Sequence, residues 1–315
     1  MPSPFRTTSP SPTSNQDSLT LTQTVSQGNY DLTLQGGGNW NVSGQISANS
    51  NGTLFLEGDG ATNINGQVNV SGGVVIDNSG TVDISNNLNL GSGSLTIRGD
   101  TTATLTGSQI NASGGLNISG NANADISSAL NLGGSNMVLN SAGTIALSGS
   151  QINVGNISVT GEGGTTFASQ INATSFTQTG NGTTTFAGTG DNYFGSVSIE
   201  GGTVIADQDG VAFHTSDLNV ENATLEFGAD SQIPAWTEVT LDNATVYLDG
   251  TTQTWDELTI TGNSIIDFGD SGELYIGNLI IDEGAQLTIA NWSAENLDIF
   301  NAMFDPDSST PNVVF

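Results

Sequence analysis

The sequence predicts an all-β chain folded as a parallel β-helix, a β-solenoid of about 13–14 triangular coils of about 20–21 residues each. Three observations carry this expectation. Apolar-x-apolar pairs return at a nearly constant interval, clusters of Gly, Asn, Asp and Ser separate them, and helical periodicity is absent from residues 19 to 290. Alternation at period two marks a strand with one buried face. A single short coil cannot hide its apolar side chains, whereas a stack of coils buries them in a continuous axial column.

Three series of such pairs run in phase. The first begins at Leu32/Leu34 and Leu54/Leu56, passes through Leu116/Ile118, Phe176/Gln178 and Val197/Ile199, and closes with Leu279/Ile281 and Leu297/Ile299. Its successive steps are 18 to 22 residues, and among its 28 positions only Gln178 is polar. The second runs from Trp40/Val42 to Leu287/Ile289, with a gap between Thr184/Phe186 and Leu225/Phe227. The third runs from Ile46 through Val68/Val70 to Ile171/Ala173, and continues less regularly as Phe194, Phe213, Ile233, Trp255 and Ile276. Three strands per repeat, turned by small polar residues, give three faces per coil.

The ends of the periodic pattern divide the chain. Residues 1–17 hold four of the seven Pro and are expected to form a flexible Pro/Ser/Thr-rich arm. Residues 18–291 form the solenoid, and residues 292–315 a cap and tail. In that last part Trp292, Phe300 and Phe304, in a segment of some helical character, are expected to plug the final coil, because open solenoid ends are unpaired edges. At the other end the coil around Leu19, Leu21 and Leu32 has no aromatic lid and is the expected sticky edge. The terminal strand Val313, Val314 and Phe315 is expected to be captured by a neighbour's open first coil, joining copies end to end.

Charge excludes several partners. The chain has two basic and 31 acidic residues, a net charge of −29, and no Lys. Phosphate backbones and anionic lipid surfaces need clustered cations, so neither nucleic acid nor a charged membrane is an expected partner. No apolar run is long enough for a spanning helix. The opening MPSPFRTTSPSPTSNQDS lacks the apolar region of a signal peptide, so either the protein is not exported by that route or the chain is a mature or trimmed form. The absence of Cys excludes disulfide and thiolate chemistry.

The outward positions predict ladders. Asn69, Asn89, Asn111, Asn131, Asn153 and Asn172 follow the third-series anchors, and stacked amides bond from rung to rung. Of the acids, eight precede residue 161 and 23 follow it, so the second half carries most of the negative field. One acidic ladder is Glu200, Glu221, Asp242 and Asp282; a second corner supplies Asp207, Asp209, Asp230, Asp249 and Asp270. Stacked carboxylates repel unless solvated or bridged, and calcium is the hard cation that oxygen clusters attract. No calcium-loop motif occurs, so a solvated acidic face is the competing expectation. No cofactor other than calcium is expected. Arg98 stands one rung from Asp77 and is expected to pair with it, and His214 reads as an isolated structural histidine beside Phe213. Acid pairs such as Asp207/Asp209 have no specificity in so acidic a face, so no catalytic residue is assigned and an enzyme is not expected.

Residues 182–205, GTTTFAGTGDNYFGSVSIEGGTVI, resemble the autotransporter-associated β-strand repeat of bacterial exported proteins, through Gly182, Thr183, Thr185, Gly188, Asn192, Gly195, Ile199, Gly201, Gly202 and Thr203, with the aromatic shifted to Tyr193/Phe194. Degenerate forms recur as ENATLEFG and DNATVYLDG, and GSLTIRGDTTATLTGSQINASGGLNISG in the first half is similar to filamentous-haemagglutinin-type exoproteins. The resemblance implies a secreted or surface-displayed bacterial passenger used in adhesion or surface structure, binding a surface glycan or a receptor on a host or neighbouring cell. Two alternatives stand beside it: a subunit of an extracellular filament, and a glycan-binding or polysaccharide-processing β-helix.

Overall fold

The computed structural model describes residues 17–49, 51–293, 297–299, 302–303 and 313–314. Arg6, Phe300, Phe304, Phe315 and all but the last residue of the expected arm lie outside them. Among the described residues every regular element is a strand, and every strand pairing is parallel, giving a β-solenoid of about 13 turns. The chain divides into two compact units, Met1–Thr165 and Thr166–Phe315.

In the first unit the three series become three ladders in the expected register. Leu32 pairs with Leu54, Leu54 with Val74, Val74 with Leu95, and the ladder continues through Leu116 and Met137 to Ile157. The second-series ladder begins earlier than Trp40, because Leu19 pairs with Trp40 and Leu21 with Val42. The third likewise begins at Val25, opposite Ile46. Inward Leu, Ile and Val are buried almost without exception, each worth about 1.5–3 kcal/mol of transfer free energy.

Glycine fixes the turn between the second and third ladders. A Cβ on Gly66 would collide with the carbonyl of Gly44, one on Gly44 with that of Gln23, one on Gly107 with that of Asn86, and one on Gly149 with that of Ser128. The coils approach so closely at this corner that only hydrogen fits.

In the second unit the first ladder runs from Phe176/Gln178 through Val197/Ile199, Leu218/Val220, Val239/Leu241 and Leu258/Ile260 to Leu279/Ile281. The gap in the second series is filled by Val204 and Ala206, which pair with Thr184 and Phe186 on one side and Leu225 and Phe227 on the other. Phe194, Phe213, Ile233, Trp255 and Ile276 are all buried, as the third series expects. Aromatic rings build the core here: Phe186 stacks on Phe167 at 5.2 Å and meets Phe176 and Phe213 edge-on at 5.1 and 5.0 Å. Gln178, the polar exception, is buried, and its Nε2 donates to the carbonyls of Gly182, Gly201 and Thr203 at 3.2, 3.0 and 3.3 Å.

The C-terminal segment departs from the expected register. Leu297–Ile299 pairs with Leu274–Ile276, a third-series position, and Ala302–Met303 takes the place beside Leu279–Ile280. The last coil is longer than the apolar spacing implied, and the 18-residue step to Leu297 joined strands of two different faces. The segment forms strands that extend the ladder where some helical character was expected.

Candidate functional site

The outer surface follows from the inner one. Wherever two inward residues flank an outward one, the outward side chains of successive coils form a column, and neighbours in a column touch.

The amide column of the first unit forms as expected. Asn89 Nδ2 donates to Asn69 Oδ1 at 2.8 Å, Asn111 to Asn89 at 3.0 Å, and Asn131 to Asn111 at 3.5 Å. Arg98 Nε lies 2.8 Å from Asp77 Oδ2, with both side chains about half exposed, so the ion pair is a surface one.

The acidic ladders of the second unit are built along strand edges and corners. Glu221 pairs in register with Asp242. Glu200 accepts a hydrogen bond from Ser198 Oγ at 2.8 Å, Asp242 Oδ1 from Asn243 Nδ2 at 2.8 Å, and Asp230 Oδ1 from the Thr252 amide at 2.8 Å. Asp249 holds a left-handed turn with φ of 40°, Asp209 bridges to Thr189 through its backbone, and Asp207, Asp270 and Asp282 are exposed. Among the described residues no three carboxylate or imidazole groups converge on one point that could hold a metal ion. Asp249 lines a shallow groove of about 320 Å³ with Glu226, Tyr247, Asp267, Gly269 and Asn291. Asp267 Oδ1 there accepts from the Gly269 amide at 2.9 Å and from Asn291 Nδ2 at 2.8 Å.

His214 is not isolated. Its ring lies 4.8 Å from that of Tyr193 and 5.2 Å from that of Trp236, residues of the coils before and after it. Tyr193 and Trp236 are 43% and 50% exposed, and His214 is half-buried between them. Tyr193 and His214 adjoin inward Phe194 and Phe213 of the third-series line, and Trp236 lies in the turn Ala235–Trp236 that follows Ile233. The three residues differ in type and their spacing in sequence is 21 and 22, so only the coil register reveals them as a row.

A second row escaped sequence reading altogether. Gln208, Gln232 and Gln253 are buried and linked rung to rung: the Gln208 amide donates to Gln232 Oε1 at 2.8 Å and the Gln232 amide to Gln253 Oε1 at 3.0 Å. Gln232 Nε2 also donates to the carbonyls of Gln208, Gly210 and Asp230.

The two assembly segments lie at the ends of one sheet. Ser18–Leu21 is its first strand, paired among the described residues with Asn39–Val42 alone, and Leu19 and Leu21 are half-buried. Val313 and Val314 pair in parallel with Leu287 and Thr288 of the same chain, so this strand is engaged within the molecule.

No known protein family, curated protein or solved structure matches the chain.

Proposed function

We propose that the protein is a non-enzymatic β-solenoid displayed outside a bacterial cell, where it acts as an adhesin-like binding scaffold. One observation carries this reading: three of the four Tyr and two of the four Trp, namely Tyr30, Tyr193, Tyr247, Trp236 and Trp292, are exposed on the outside of the solenoid. Tyr and Trp combine an apolar body with a polar tip and are the residues that dominate recognition surfaces. Trp40 and Trp255 are buried in the core, but these five aromatics are not, and the inward columns are filled mainly by Leu, Ile, Val and Phe. A solenoid suits this use, since outward side chains vary from coil to coil without disturbing the buried ladders. The acidic exterior keeps such a surface soluble.

The test is surface labelling of intact producing cells with antibody, combined with attachment assays of a deletion strain. Labelling of whole cells and loss of attachment are expected; a protein found only inside the cell overturns the reading. A second reading, the end-to-end filament subunit, draws support from Ser18–Leu21, which pairs among the described residues with Asn39–Val42 alone. Strings of rods in negative-stain images at rising protein concentration are its expected signature, and a monomer throughout refutes it.

A further inference from the structure

The row Tyr193–His214–Trp236 runs beside a second feature. Three residues after His214 and two after Trp236, Asp217 pairs in register with Glu238, which in turn pairs with Glu257 of the following coil; the equivalent position in the coil of Tyr193 is Ser196. Asp217 and Glu238 are exposed and Glu257 is half-buried. Ser216 Oγ donates to Asp217 at 2.6 Å and Asn278 Nδ2 to Glu257 at 3.1 Å, which leaves Glu238 facing solvent between two other carboxylates. An aromatic row and a carboxylate column thus run side by side through the coils of His214 and Trp236, the row extending one coil before them and the column one coil after, both stepping by one coil.

We infer that these two columns form a binding site for a polysaccharide carrying free amino groups, laid along the ladder with successive sugars on successive coils. The apolar C–H face of a pyranose is complementary to the electron-rich face of an aromatic ring. A protonated amino group is attracted both to the rings and to the adjacent carboxylates. The ring-to-ring distances of 4.8 and 5.2 Å are close to the length of one pyranose unit in a straight chain. A basic peptide fits less well, because same-side side chains of an extended peptide recur at about 6.6–6.8 Å and drift out of step within two coils. Acidic polysaccharides are repelled by the column and by the net charge of −29. This assignment rests on the binding-scaffold reading above and names the ligand class of one of its surfaces.

The experiment titrates the full chain with a β-1,4-linked glucosamine hexamer at physiological salt, following tryptophan fluorescence and heat. The comparison ligands are its fully N-acetylated counterpart, a galacturonate hexamer and a lysine-rich peptide of equal positive charge. Trp236→Ala and Tyr193→Ala are expected to weaken the glucosamine hexamer by about tenfold or more, as loss of an aromatic anchor does. Glu238→Gln is expected to weaken it about threefold and flatten its salt dependence. Ile265→Ala, at an exposed position of the other sheet, should leave affinity unchanged. Trp236→Ala keeps the net charge, so an undiminished affinity in that variant means non-specific charge attraction and overturns the site. Equal binding of the N-acetylated hexamer, or tighter binding of the peptide, also overturns it. Release of reducing ends from the hexamer would instead contradict the non-enzymatic reading while leaving the site standing, and failure of every ligand to bind removes the site but not the scaffold.

Discussion

Units Met1–Thr165 and Thr166–Phe315 use the same three-strand coil and fill it differently. The first packs aliphatic side chains inside, with Trp40 as its one fully aromatic inward rung among the described residues, and satisfies its amides on the outside through the Asn69–Asn131 column. The second packs Phe and Trp inside, places a Gln column within the wall, and turns most of the chain's carboxylates outward. The coil geometry therefore demands only that inward positions be apolar or fully hydrogen-bonded. What fills them is open, and that freedom lets one unit carry a sparsely charged, amide-rich exterior and the other a densely acidic, aromatic one.

Variants that break the shared feature should have the largest effects. Ile118→Asp in the first unit and Ile199→Asp in the second each bury an unpaired carboxylate at a fully buried position, at a cost of several kcal/mol. Both are expected to lose cooperative thermal melting by circular dichroism; a parental melt in either would mean that the residue does not face inward. Gly66→Ala forces a methyl against the Gly44 carbonyl and should lower the melting temperature sharply, with no counterpart at open Gly164, where an added Cβ meets nothing.

Variants that separate the units come next. Phe186→Ala removes a ring packed against Phe167, Phe176, Phe194 and Phe213, and should cost about 3–5 kcal/mol, against about 0.5–1.5 kcal/mol for Ile84→Val in the aliphatic core. Gln232→Leu leaves the buried Gln208 amide without its acceptor, so about 1–3 kcal/mol is expected from denaturant unfolding. Asn89→Ala, in the solvent-facing amide column, should cost less than about 1 kcal/mol because water replaces its partners. If the two substitutions cost the same, the distinction between an internal and an external polar column is wrong.

The smallest effects test fine structure. Thr62 and Thr184 are buried with hydroxyls that have no partner, so Thr62→Val and Thr184→Val should each stabilise by up to about 1 kcal/mol. Arg98→Ala should cost less than about 1 kcal/mol, because its bond to Asp77 is half exposed.

The inward ladders were legible because burial imposes a period, and a period survives changes of residue type. Even the gap in the second series followed a simple cause: Ala206 is too small to stand out, and Val204 and Ile205 together blur the alternation. The C-terminal register was not legible, because an apolar-x-apolar pair looks the same on every face and Leu297/Ile299 could join either line. Gln208, Gln232 and Gln253 were hidden for a different reason. Polar residues outside the apolar pairs normally face water, and nothing in the sequence says that these three are bonded to one another. His214 looked solitary since its neighbours are 21 and 22 residues away and of different types.

The pairing of Val313–Val314 with Leu287–Thr288 changes what the tail would do in an assembly. As a free strand it would be a plug seeking a socket on another molecule. Docked where it is, it occupies the seat that any incoming strand would need on the Leu287–Ala290 edge. In any end-to-end assembly the tail would then be a stopper competing with neighbours, and cutting it away would uncover an edge rather than remove one. With Val313 and Val314 in that seat, the last described rung of the sheet is the tail itself.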